Sequence, residues 1–221
     1  MGIRYAVQVL TPRPSEHTDL DLSVPTLGEP VHVRTWQAEP EVYAAELERA
    51  LQWSWLWQGR WSEIARRCPW SIVIEMTCAA PVHYAGMLLT FVGVLDHVLA
   101  GLDEADREAS LLHWVPAQQI LSITQYRVLR EELGLCGPAV NVRIANATGR
   151  PGELVADTVG LAELGLPDLQ VVFTDRDPAD VAKRLRRLAR EMFIGERLDS
   201  GWVEEASMVP PLRDALTLEL D

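Results

Sequence analysis

Residues 152–174, GELVADTVGLAELGLPDLQVVFT, constrain the fold more than any other stretch, because they ask for a tight reversal between two extended runs. Residues 153–156 read as a short extended piece. Residues 169–173 are β-branched and aromatic, a composition that suits a pleated, half-buried surface. Between them stand Asp157, Thr158, Gly160, Gly165, Pro167 and Asp168. Gly160 and Gly165 accept positive φ, Pro167 fixes its own φ and pushes Leu166 toward extended geometry, and the short polar side chains reach nearby backbone N–H groups. Two readings follow. Either the polar residues are caps and turn-closing bonds around the apolar pegs Leu161, Leu164 and Leu166, or Asp157, Thr158, Asp168 and Gln170 build a pocket.

The pattern Asp157-Thr158-x-Gly160-Leu161, then Leu164-Gly165-Leu166-Pro167-Asp168-x-Gln170, follows a strand carrying Asn141-Val142-Arg143. It resembles the signature of a bacterial protein family known only as a domain of unknown function. The resemblance covers mainly residues 140–173, and more faintly residues 70–114 and the C-terminal strand. It implies relatives of unknown activity, so no catalytic residue is carried over from it.

A chain of 221 residues fits one domain, residues 1–221, with a candidate boundary between two packed halves at the Gly and Pro cluster near 134–138. With 48% hydrophobic and 24% charged residues the composition is that of a globular protein that folds alone, not of a disordered one. The net charge of −12, without a basic tail, argues against nucleic acid and anionic membranes as partners. Cys68, Cys78 and Cys136 are odd in number and widely spaced, which fits neither a disulfide framework nor a Cys-x-x-Cys site. They suit a reducing bacterial cytoplasm, and the N-terminal residues show no secretion signal.

Alternation predicts strands at 4–10, 31–36 and 139–146, a short extended piece at 20–24, and a last strand over 216–220. The first of these is read as half-buried. Residues 70–76 and 110–115 are almost continuously apolar, as in strands covered on both faces. Glu39-Pro40-Glu41 opens a helix with the apolar stripe Tyr43, Leu47, Ala50 and Leu51, and a second short helix follows at 62–67. The longest helix runs over 81–102. Its uninterrupted apolar part, 84–95, is short of the roughly 20 residues that span a bilayer, so it reads as a buried core helix. Residues 103–108 read as an acidic loop and 116–133 as one or two helices. Asp177-Pro178 caps a final helix with Val181, Leu185, Leu188 and Met192 inward. Together these predict an α+β domain with a mixed, largely antiparallel sheet and helices packed on it.

Two regions stand out by composition. Trp53, Trp55, Trp57, Trp61 and Trp70 account for five of the eight tryptophans, and they are either core plugs or an aromatic contact surface. The last helix carries Lys183, Arg184, Arg186, Arg187 and Arg190 as a basic outer face, either solvated or a docking patch. No metal or cofactor is expected, because His83, Asp96, His97 and Cys78 lack ligand spacing and no phosphate loop, nucleotide fingerprint or Gly-x-Ser-x-Gly elbow occurs. Two functions remain open. One is a cytoplasmic adaptor or immunity-type protein that binds another protein through Trp53, Trp55, Trp57, Trp61, Arg184 and Arg187. The other is a hydrolase-like enzyme in which Asp157 or Asp168 is the general base, Arg143 or His113 polarises the substrate, and Asn141, Thr158, Gln170 and Trp114 line the pocket.

Overall fold

The structure, a computed structural model, describes residues 3–15, 19–24, 31–53, 60–78, 84–147, 150–195, 203–204 and 215–218. Trp55, Trp57, His83, Trp202 and the start of the expected helix at 81–83 lie outside the described residues. The first sheet takes β1 (Ile3–Thr11), β2 (Leu20–Val24), β3 (Val31–Ala38), β4 (Trp70–Cys78), β5 (Leu111–Trp114) and β6 (Gln119–Ser122). They lie side by side in the order β2-β3-β4-β1-β5-β6, every pair antiparallel. The second sheet takes β7 (Asn141–Asn146), β8 (Leu154–Val159), β9 (Asp168–Phe173), β10 (Val203–Glu204) and β11 (Ala215–Leu218), in the order β10-β11-β9-β8-β7. Among the described residues its single parallel pairing is β11 with β9. The helices are α1 (Ala44–Trp53), α2 (Trp61–Arg67), α3 (Tyr84–Gly101), α4 (Glu104–Ala109), α5 (Ile123–Leu133) and α6 (Pro178–Phe193). The chain is thus α+β with largely antiparallel pairing, divided between two sheets.

The strand β1 sits at the centre of the first sheet and is buried on both faces, which corrects the half-buried reading. Tyr5, Val7 and Val9 face the main core with α3, whereas Leu10 joins Leu47, Ala50, Ile64 and Cys68 beneath α1 and α2. Alternation identifies a strand but not what covers its second face. That face carries Gln8, which is buried because its Nε2 donates to the Pro40 carbonyl at 2.8 Å and to Ser71 Oγ at 3.2 Å.

Helix α3 contributes eight buried side chains, among them Leu88, Phe91 and Leu95. Phe91 meets Tyr5 and Trp114 edge to face at centroid distances of 5.0 and 6.0 Å. By length and composition α3 could cross a membrane, a test that a buried core helix also passes, and eight of its side chains are buried here. Its outward stripe, with Leu89 60% exposed beside Gly93, Asp96 and His97, stays open because the sheet covers one side only.

Three local readings change. Residues 104–109 form α4 rather than a loop, since Asp103 caps it by accepting from the Asp106 N–H at 2.8 Å. The segment 116–133 is not wholly helical: a turn carrying Gln118 at φ 49 joins β5 to β6, whose residues pair across as Leu112 with Leu121 and Leu111 with Ser122. Only then does α5 start, from a capping box of Ser122 and Gln125. Arg186, expected on an outer face, is 8% exposed and donates to Gln119 Oε1 at 3.1 Å, while Gln119 Nε2 donates to the Pro138 carbonyl at 3.0 Å.

The 3-10 segment Gly134–Ala139 leads from α5 into the second sheet, with Cys136, Gly137, Pro138 and Ala139 buried. Val142, Ala156, Leu169 and Val171 turn toward α6, where Val181, Leu185 and Ala189 meet them in the same core that holds α3. Asp177 caps α6 by accepting from the Ala179 N–H at 3.0 Å, with Pro178 next. One face of the second sheet is thereby apolar except for Thr158, and period-two alternation puts Asn141, Arg143, Asp157 and Gln170 on the other.

Candidate functional site

The polar face is built from β7, β8 and β9. Asn141 and Arg143 alternate with the buried Val142 on β7. Arg143 stands directly opposite Asp157 on β8, and Asp157 opposite Gln170 on β9, so the three form one row across three strands. The Arg143 Nε donates to Asp157 Oδ1 at 3.0 Å and its Nη2 to Oδ2, a two-pronged pair. The Arg143 guanidinium also lies over the Trp53 ring, with Cζ 5.6 Å from the centroid. Trp53, at the end of α1, is 38% exposed, whereas Asp157 is 7% and Gln170 3% exposed. Asn141 is fully buried: its Nδ2 donates to the Trp53 carbonyl at 3.3 Å and the Gln118 carbonyl at 3.1 Å, and its Oδ1 has no partner. The end of α1 is thus tied to β7 by side-chain and main-chain contacts together.

Asp157 and Thr158 lie inside β8 rather than in the loop after it, because the pairing with β7 runs on to Val159. Asp157 therefore closes no turn; its bonds go to Arg143. The closing bonds belong to Asp168, whose Oδ1 accepts from the Thr158 hydroxyl at 3.0 Å and the Leu161 N–H at 3.2 Å. Thr158 Oγ1 in turn accepts from the Leu169 N–H at 2.7 Å. Gly160 and Gly165 take φ 113 and 73, as the reversal requires. A Cβ on Gly165 would overlap the Tyr84 ring, so the loop seats directly against the start of α3. Burial raises the Asp168 carboxyl to about 6, against the lowering effect of the Thr158 and Leu161 bonds, with the Glu163 and Asp157 charges adding to the rise.

The remaining candidates are placed elsewhere. His113 is buried on the α1 side of the first sheet, with Nδ1 3.2 Å from Gln8 Oε1 and no hydrogen bond at Nε2. Burial pulls its pKa down to about 3, and the Glu46 backbone acts in the opposite direction. None of its bonds reaches the Arg143 row. Trp114 is fully buried against Tyr5, Phe91 and Tyr126, and its Nε1 donates to the Tyr5 hydroxyl at 2.7 Å, so it is a core residue and lines no pocket. Trp61 is half-buried on the cluster beneath α1 and α2. Trp53 and Trp70, at 38% and 37% exposed, are not the core plugs that their size suggests. Arg184 lines a cleft of about 220 Å³ with Arg176, Asp177 and Asp180, and Arg187 is exposed.

Compared with family models, curated proteins and solved structures, the chain gives no match. Among the described residues no three His, Cys, Asp or Glu side chains are placed to hold a metal ion. Sequence reasoning paired Asn141, Arg143, Asp157 and Gln170 only loosely, and it missed that Trp53 completes them. The available signal was the alternation Asn141-Val142-Arg143, which puts two long polar side chains on one strand face beside a partner that must cover them.

Proposed function

We propose that the chain is a protein-binding module of adaptor or immunity type that works in the cytoplasm, with Trp53 and Arg143 at the centre of its contact surface. The observation behind this reading is the exposed Trp53 ring held by a guanidinium that Asp157 fixes from the other side. An aromatic ring and an arginine, ordered before any partner arrives, are what interface hot spots use, because little side-chain entropy is then lost on association. Asp157, meanwhile, has its carboxylate occupied by Arg143 and is poorly placed to accept a substrate proton.

The test is capture from the source organism with the wild-type chain and with Trp53→Ala, followed by reassembly from purified components. A partner that re-forms the complex and loses at least about tenfold in affinity with Trp53→Ala supports the reading. No reproducible partner, or equal binding by the variant, overturns it. One observation favours the enzymatic alternative: a carboxyl titrating at about 6 suits a general base near neutral pH, and Asp168 is such a group. Ester or amide hydrolysis lost in Asp168→Asn at unchanged fold would move the assignment there.

A further inference from the structure

A second surface lies at the far edge of the first sheet. Among the described residues β2 pairs with β3 alone, which leaves its other edge without a strand neighbour. Beside that edge runs a groove of about 290 Å³ lined by Leu20 and Leu22 of β2 and by Thr90, Gly93, Val94 and His97 of α3. The four helix positions follow the spacing i, i+3, i+4, i+7, a single stripe facing the strand. Gly93 gives the groove its depth, since a Cβ built there meets nothing within 4 Å. Leu22 is left 39% exposed. An open strand edge next to a helix stripe is the geometry in which an extended peptide adds as a further strand, with alternate side chains entering the groove.

We propose that this edge binds an extended segment of a partner protein in which apolar residues alternate with basic ones. The apolar half of the pattern follows from Leu20, Leu22 and Val94, which line the groove. The basic half follows from charge. Residues of an added strand that point away from the groove lie beside Asp21 and Ser23, with Asp19 just before β2, and all three are exposed on a chain of net charge −12. Arg34, opposite Asp21 in register, has its guanidinium over the Trp36 ring at 5.2 Å. A second copy of this chain is the wrong occupant, because pairing β2 with itself would bring two acidic edges and two strongly negative molecules together.

The probe is a displayed library of random peptides of about twelve residues, selected on the full chain, with enriched sequences then synthesised. The expected motif alternates apolar and basic residues, and the bound peptide slows hydrogen exchange at residues 20–24. The decisive variant is Gly93→Leu, which fills the groove while replacing a helix-weakening glycine, so the fold is kept or strengthened. It is expected to lose at least about tenfold in peptide affinity, whereas Trp53→Ala keeps it. The proposal is overturned by a selection without a motif, by peptides that Gly93→Leu still binds, or by binding lost in Trp53→Ala instead. A dimer in light scattering that Leu22→Arg converts to monomer would assign the edge to a second copy and overturn it as well.

Discussion

In the first sheet Gln8, Ser71 and His113 lie fully beneath the helical cover, joined to one another and to the Pro40 carbonyl by hydrogen bonds. In the second sheet the polar row is charged: Arg143 and Asp157 pair at the rim of an exposed Trp53. The difference follows from desolvation. Neutral polar groups can be buried deep when hydrogen bonds replace water, but an ion pair loses so much hydration there that it is kept where solvent or an aromatic face still reaches it. His113 is accordingly held in full burial by neutral partners, whereas Arg143 and Trp53 keep part of their surface in solvent with Asp157 and Gln170 buried behind them.

The largest expected effect tests the core that both sheets share. Phe91→Ala removes a ring packed on Tyr5 and Trp114 and should destabilise the chain by about 3–5 kcal/mol in chemical denaturation. An unchanged midpoint would show that α3 does not occupy the core.

Next comes His113, whose folded-state pKa of about 3 lies below its usual value of 6.5. A group held neutral in this way costs nothing above its unfolded pKa and withdraws stability as pH falls through 6.5 toward 3, because the unfolded chain takes up the proton first. At about pH 4.5 the loss should reach roughly 2–3 kcal/mol relative to neutral pH, and His113→Gln should lack that slope. Parallel pH curves for the two proteins would contradict the buried, neutral placement.

The ion pair comes third. Asp157→Ala should cost about 2 kcal/mol by leaving Arg143 without its partner, and a double-mutant cycle with Arg143→Ala should return a coupling of about 1 kcal/mol or more. Additive effects would mean that the row is not a unit, and the contrast between the sheets would weaken. Smallest is Asp168, whose carboxyl is raised to about 6 from 3.8. Its sign is opposite to that of His113: the contribution is present below the unfolded pKa and lost as pH rises through 6. Asp168→Asn, which keeps an oxygen for the Thr158 and Leu161 donors, should therefore be more stable than the wild type by about 1–2 kcal/mol at about pH 8 and gain little at about pH 4. A less stable variant at high pH would show that the charge itself holds the loop. In the wild type the His113 and Asp168 slopes partly offset each other, so only the variants separate them.

What the sequence determined by itself is what a few neighbouring residues decide. The φ values of Gly160 and Gly165, the Asp177-Pro178 cap, the alternation of Val31, Val33 and Thr35 inward on β3, and the long apolar helix around Phe91 are all set within a turn or two of chain. The tertiary structure decided which partner each of those elements met. Pairing with β5 made residues 119–122 a strand where local propensity allowed a helix, and pairing with β7 drew Asp157 and Thr158 out of the loop into β8. The division into two sheets, the burial of Gln8 and Arg186, and the exposure of Trp53 likewise depend on surfaces brought together from distant parts of the chain. Asp157 and Asp168 show the limit most directly. Both stand beside the same turn residues, yet one faces the Arg143 guanidinium across a strand and the other the Leu161 N–H across the loop. The physical reason is that a carboxylate's role is fixed by whichever donor comes within about 3 Å of it, and strand register, a non-local property, sets that distance.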